Sequence, residues 1–342
     1  MPIGTRSRGR PGPSWTASYS CRRHGFTSAY AERRRAVGVP EDRVFQTKLA
    51  LGLAMIGRAK QRGLPFEGVS CDELYGRSAA FRRELTAEGI CYAAYVPCDY
   101  RVYLQRPEVG VPPRPNGQKG KHGQRLRVLN EVHTVMVKDI VSDARTHWHP
   151  LRLRTTERGY LEAEFAARRV WTWQAGMPAV CQEWLVIRRE ASGRCTYALC
   201  NAPADTSLVA LAELTCSRYF VERTLEDAKD ECGWDDFQAQ KYLAWQHHTA
   251  LTACALWFIA QQKLAWAAAC ARDPDLLQQL ALEVLPALST ANVRALLTAA
   301  LPLPELTVDE AHRQVARHLL NRSRARASRL KRNHALVPSA GM

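Results

Sequence analysis

The chain has 342 residues, 46% hydrophobic and 24% charged, which is enough to bury the core of one or two globular domains and too mixed for a fibrous or low-complexity protein. Its formal net charge of +15 points to an anionic partner, most often nucleic acid. No apolar run reaches membrane length, and the 11 cysteines lack zinc spacing and fall mostly in apolar runs, such as Cys254 and Cys270, so they read as buried, reduced thiols of a cytosolic protein.

Met1 to Ala29 contains no Asp or Glu and many Arg, Ser, Pro and Gly, which predicts a disordered basic segment. Val44 to Arg62 places Leu49, Leu53, Ile56 and Ala59 on one helical face and closes at Gly63 and Pro65. A strand over Phe66–Cys71 ends at Asp72, a helix covers Ser78–Ala87, and a second strand covers Ile90–Val96. Strand, helix, strand in such short order predicts an α/β unit with a parallel sheet. Arg106 to Arg127 is rich in Pro, Gly, Lys and Arg and reads as a loop. Its basic part, with Lys119, Lys121 and Arg125, fits a loop that tracks a DNA backbone as well as an ordinary solvated one. Val132 to Asn201 is mostly β, with a hairpin turn at Gly193. Trp171, Trp173 and Trp184 are expected in its core; the alternative, beside Arg168 and Arg169, is stacking on an unpaired base.

Ser207 to Trp234 reads as one long helix capped by Asp205 or Thr206. Leu214, Val221, Leu225, Ala228 and Cys232 form its expected core stripe, and Arg218, Glu222 and Lys229 lie along the flank of that stripe. On the helix alone, these charges fit a boundary salt bridge. Tyr242 to Ala271 is a second long helix whose broad apolar surface predicts burial, with His247 and His248 in surface or capping positions near its start. Pro274, Pro286, Pro302 and Pro304 punctuate short helices, and Arg313 to Arg332 carries no acid. That tail is either a helix lying on DNA or a disordered basic arm.

The spacing Arg218-x3-Glu222-x6-Lys229 resembles the Tyr-x-x-Arg-x-x-x-Glu-x6-Lys signature of DDE-type insertion-sequence transposases. CDELYG at Cys71–Gly76 is similar to the segment around the second catalytic Asp of the insertion-sequence-701 family, within the insertion-sequence-4-like superfamily. YAAYVPCDYRVY at Tyr92–Tyr103, CNAPADTSL at Cys200–Leu208 and the stretch from Gly233 to His248 resemble its following segments, so the likeness runs as an ordered series from about Tyr30 to Lys331. Thr215 stands where the signature has Tyr, and Gln240 where Arg is expected.

The resemblance implies a ribonuclease-H-like α/β core whose first strands are missing, in a chain truncated or degraded at its N-terminus. The expected divisions are a basic segment over 1–29, the first part of the core over 30–99, a β-rich insertion over 100–200, the Glu helix and its successor over 201–271, and C-terminal helices with a basic tail over 272–342. It implies catalysis by carboxylates that hold two Mg²⁺ or Mn²⁺ ions, hard cations that favour oxygen ligands. Asp72 and Glu222 match the second and third of these carboxylates. Arg218 and Lys229 match phosphate contacts, and Lys119, Lys121, Arg125, Arg329, Lys331 and Arg332 are further candidate DNA contacts. The first carboxylate is not found: the only Asp before Asp72 is Asp42, which precedes a helix rather than lying in a strand. The expected function is a DNA transposase that cleaves and joins strands at transposon ends, impaired by that loss. The alternatives are a non-catalytic DNA-binding remnant and, more remotely, a basic nuclease acting on RNA. Duplex DNA, at transposon ends and target, is the expected partner, with a homo-oligomer on DNA, no membrane, and a bacterial cytoplasmic location.

Overall fold

The computed structural model describes residues 23–113, 124–156, 159–236, 241–272, 289–300 and 307–336. The disorder expected for the N-terminus therefore lies largely outside the described residues. Its last part is ordered, because Arg34 of helix α1 (Ala31–Val37) donates to the carbonyls of Gly25 at 2.7 Å and Thr27 at 2.9 Å, holding two short 3-10 turns.

Helix α2 (Lys48–Gln61) begins later than its apolar pattern suggests, because Thr47 takes the cap: its hydroxyl accepts from the Ala50 amide at 3.1 Å. Strand β1 (Val69–Cys71), helix α3 (Glu73–Gly76), helix α4 (Ala79–Ala87) and strand β2 (Tyr92–Val96) follow. β1 and β2 pair in parallel with Cys71 opposite Ala94, as the strand–helix–strand order requires.

The β-rich stretch extends this same sheet. It contains β3 (Arg101–Tyr103), β4 (Val109–Gly110), β5 (Arg127–Val128), β6 (Thr134–Met136), β7 (His149–Thr156), β8 (Gly159–Thr172), β9 (Cys181–Arg189) and β10 (Cys195–Cys200). The sheet order is β1-β2-β10-β9-β8-β3-β6, with β7 also on β8, while β4 and β5 form a small ribbon. β10 runs antiparallel to β2, with Leu199 opposite Ala94. The turn between β9 and β10 uses Gly193 at φ 82°, a left-handed conformation that glycine adopts without steric cost.

Alternation of side chains gives the sheet two apolar faces. Tyr92 and Ala94 pack with Phe81 and Leu85 of α4, while Val96, Val102, Val170, Leu185, Ile187 and Leu199 pack with Val137 and Ile140 from a 3-10 helix over Val137–Ser142. On the opposite face, Phe165, Val186 and Cys200 pack against Leu211, Ala212 and Cys216. Those last three belong to helix α5 (Leu208–Cys216), whose cap is Ser207 rather than Asp205 or Thr206.

The single helix expected over 207–234 is two helices. α5 stops at Cys216 and α6 (Arg218–Asp230) starts after Ser217. The Thr215 hydroxyl donates to the Ala212 carbonyl at 2.8 Å and that of Ser217 to Leu214 at 2.7 Å. Such back-bonds compete with the helical ladder and favour a bend. Beyond the break the expected core stripe fails: Ala228 is buried, but Val221 and Leu225 are 55% and 42% exposed. Helix α7 (Tyr242–Arg272) departs from expectation in the same way. It buries Tyr242, Thr252 and Ile259, whereas Leu243, Leu251, Phe258, Leu264 and Trp266 are exposed, so only a narrow face is covered. Cys254, expected inside, is exposed as well. The His248 ring nitrogen lies 3.1 Å from the Trp234 carbonyl, tying the start of α7 to the turn that follows α6.

The chain divides into two compact units, residues 1–290 and 291–342. Helix α8 (Thr290–Ala300) begins at that boundary, and the second unit contains the continuous helix α9 (Val308–Leu336), so the acid-free tail is helical. The proline-punctuated segments around Pro274, Pro286, Pro302 and Pro304 lie outside the described residues. Among the described residues no helix is long and apolar enough to cross a membrane.

Candidate functional site

Asp72 follows the last residue of β1 and is the cap of α3. Its Oδ1 accepts from the amides of Leu74 at 2.9 Å and Tyr75 at 3.4 Å, and its carbonyl accepts from Gly76 at 2.9 Å. The turn is closed by Gly76, which lies flat on β2: a Cβ there would stand 1.8 Å from the Tyr95 carbonyl oxygen. Only glycine allows this approach. Tyr75 packs on Phe81, with ring centroids 5.1 Å apart. The CDELYG segment thus encodes a cap, an aromatic anchor and a glycine contact that together fix Asp72 at the carboxyl end of β1, where parallel sheets present their ligand sites. Gly76→Ala is expected to destabilise the sheet unit by about 3 kcal/mol through overpacking, measured as a lowered urea midpoint.

Arg218 and Glu222 meet on the first turns of α6, with Arg218 Nη2 2.6 Å from Glu222 Oε1. The Arg218 guanidinium also lies over the Tyr95 ring, 5.2 Å from its centroid. Tyr95 follows Ala94, the residue opposite Cys71, so the ring under Arg218 belongs to the end of β2 that lies beside the carboxyl end of β1. Burial, chiefly, raises the Tyr95 hydroxyl, and the charges of Arg218 and Glu222 both reach it with opposite effects. The Cys71 thiol is pushed up to about 12, first by burial and then by the Asp72 carboxylate, with Arg82 and Arg218 opposing. Glu222 remains 56% exposed, so its pairing with Arg218 contributes little stability.

Lys229 is exposed in the last turn of α6 and Arg125 is exposed beside β5. Lys119, Lys121 and Gln240 lie outside the described residues. Arg329, Lys331 and Arg332 belong to α9 in the second compact unit. Trp171, Trp173 and Trp184 are only partly buried, at the rim rather than in the core. Arg106 lies over Trp171 and Arg169 over Trp184, while the Trp173 and Trp184 indoles donate to the carbonyls of Met177 and Pro203.

Among the described residues no group of three or more His, Cys, Asp or Glu side chains is arranged to hold a metal ion. Asp42 sits in an exposed turn before α2. Asp72 and Glu222 offer oxygen donors suited to a hard divalent cation, but one oxygen of each already accepts hydrogen bonds.

The sequence reading missed a deeply buried polar network among the described residues. Arg82 on α4 and Glu183 on β9 are 2% and 1% exposed and form a bidentate pair, Nε to Oε1 at 2.8 Å and Nη2 to Oε2 at 3.3 Å. Tyr100 accepts from Arg82 Nη2 at 3.0 Å, Tyr92 donates to Glu183 Oε1 at 2.5 Å, and Thr172 donates to Oε2. Arg82 Nη1 donates to the carbonyl of Gly76, in the Asp72 turn. Burial alone would raise the Glu183 carboxyl, but Arg82 and the surrounding donors outweigh it and hold the group below its usual range. The only hint in the sequence was Glu183 directly before the apolar run Trp184–Ile187; its partner, 101 residues away, left none.

No curated protein matches the chain. Residues 10–159 match the family model of the DDE superfamily endonuclease, a span that starts ahead of the Tyr30 boundary of the sequence resemblance and includes the Asp72 turn and the β1–β2 pair. That match covers less than half of the chain and supports a DDE transposase-type family, whose members act on DNA and generally use divalent metal ions.

Proposed function

We propose that this chain is a DDE-type insertion-sequence transposase polypeptide, of the insertion-sequence-701 kind and with a ribonuclease-H-like core, which binds transposon-end DNA but is impaired in strand cleavage on its own. The observation that carries this reading is the juxtaposition at Tyr95: Asp72 at the carboxyl end of a parallel strand pair, and the Arg218–Glu222 pair over the neighbouring strand. In this reading Asp72 and Glu222 are metal-binding carboxylates, and Arg218 and Lys229 contact phosphates. Mg²⁺ or Mn²⁺ would supply activation of the attacking hydroxyl and charge stabilisation at the leaving oxygen. Two carboxylates without a third fix such ions poorly, since Mg²⁺ demands near-ideal octahedral geometry.

A second reading, a non-catalytic DNA-binding remnant, is carried by the sequence, in which only two of the three family carboxylates, Asp72 and Glu222, are matched. Both readings are tested by a nicking assay on the element's own ends with Mg²⁺ or Mn²⁺, using the chain, Asp72→Ala and Glu222→Ala. The expected result is retained DNA binding with no nicking above the two variants. Robust nicking abolished by both substitutions would overturn the impairment and establish an active enzyme. Failure to bind the ends at all would sink both readings.

A further inference from the structure

We infer that the buried Arg82–Glu183 pair is a positioning device for Asp72, which ties the turn carrying that carboxylate, through the Gly76 carbonyl, to strand β9. This rests on the proposed role of Asp72 and adds to it two residues outside the family-like motifs.

A buried ion pair is a poor source of net stability, because desolvation of two charges offsets their attraction, and apolar residues of similar volume often serve as well. What the pair does supply is geometry. Arg82 spends its planar fork on three different elements: Glu183 on β9, Tyr100 just before β3, and Gly76 at the end of α3. Glu183 is in turn saturated by Tyr92 of β2 and Thr172 of β8. The Gly76 amide closes the turn on the Asp72 carbonyl, and the Leu74 and Tyr75 amides inside that turn hold the Asp72 Oδ1, so anchoring Gly76 steadies the donors that orient the carboxylate. Gly76 cannot slide along β2 because it is already in close contact with the Tyr95 carbonyl. The β-rich stretch, distant in sequence, thereby fixes the turn at the candidate site. A guanidinium is suited to this because its donors diverge in one rigid plane, which an ammonium cannot reproduce.

The test uses the full chain with Arg82→Lys, which keeps the charge beside Glu183 but loses the fork that reaches Gly76. The double variant Arg82→Met/Glu183→Leu serves should the lysine variant fail to fold. Hydrogen exchange is followed at the Leu74 and Tyr75 amides, both bound to Asp72, and at β9 and β10 as internal reference. The expected result is a loss of protection of about 10-fold or more at the Asp72 turn with the reference strands unchanged, the signature of local rather than global opening. Unchanged protection at the turn would overturn the inference, as would an equal loss across the sheet, which is what a purely structural pair would give. Mn²⁺ binding by electron paramagnetic resonance, compared between the wild type and Asp72→Asn, tests the proposed metal role of Asp72 separately. Wild-type Mn²⁺ affinity in Asp72→Asn would sink the metal role of Asp72; the exchange measurement then decides the positioning role alone.

Discussion

Arg82→Met is expected to lower the unfolding free energy of the sheet unit by about 3–5 kcal/mol, read from urea unfolding followed by tryptophan fluorescence. The cause is the Glu183 carboxylate, which would stay buried with its cationic partner gone and only the Tyr92 and Thr172 hydroxyls left to it. Adding Glu183→Leu should return part of the loss, because an apolar pair leaves no stranded charge. It should not return all of it, since the Gly76 carbonyl and the Tyr92 hydroxyl then lack their partners, at about 1–3 kcal/mol for each unsatisfied buried group. The pH dependence distinguishes this account from simple loss of packing. In the wild type the folded Glu183 value is depressed, so its contribution is complete above the ordinary carboxylate range and fades as pH falls through the folded value. Without Arg82, burial governs and the folded value rises. The single variant should therefore regain stability relative to wild type on acidification, as Glu183 takes up a proton. A deficit independent of pH would place the effect in packing and not in charge.

The contrast with the candidate site shows what a sequence can carry. The place of Asp72 at a strand end was legible because its determinants are local, a short apolar strand followed by a helix and a second strand, whereas its role as the cap of α3 and the approach of Gly76 to β2 were not. The parallel β1–β2 pair was legible for the same reason. The Arg218–Glu222 pairing follows from helical spacing, and the structure has it as an i to i+4 contact. The break at Ser217 was not legible, because Leu214 to Cys232 keeps an apolar period through it. Only the hydroxyls of Thr215 and Ser217, folded back onto their own helix, show why α6 leaves the sheet. The exposure of α7 was missed by the opposite route. An apolar sequence states a preference for burial, and whether another element covers it depends on tertiary placement that no period records. The Arg82–Glu183 network is the extreme case, since pairing between residues 101 apart depends on the register of the whole sheet.

Replacing Arg322, Arg324, Arg326, Arg329, Lys331 and Arg332 together should reduce the salt dependence of DNA binding more than any other change. These six residues lie on α9, where the only acids, Asp309 and Glu310, fall in the first turn. A continuous helix presents cations at a rise of about 1.5 Å per residue, so the stretch from 322 to 332 spans roughly 15 Å, enough to lie along several phosphates. Each neutralised phosphate contributes about −0.9 to the slope of log K against log salt, so the roughly three cations that one helix face can bring to the duplex account for about three units of slope. Affinity at low salt should fall by orders of magnitude, while the variant and the wild type converge as salt rises. The measurement is a titration of fluorescent duplex at several salt concentrations. It is run beside Arg218→Ala, which should shift the slope by about one unit at most if it contacts a single phosphate. An unchanged slope in the six-residue variant would show that the positive charge of α9 is solvated rather than engaged. The DNA contacts would then have to be sought on the first compact unit, beginning with Lys229 at the end of α6 and Arg125 beside β5.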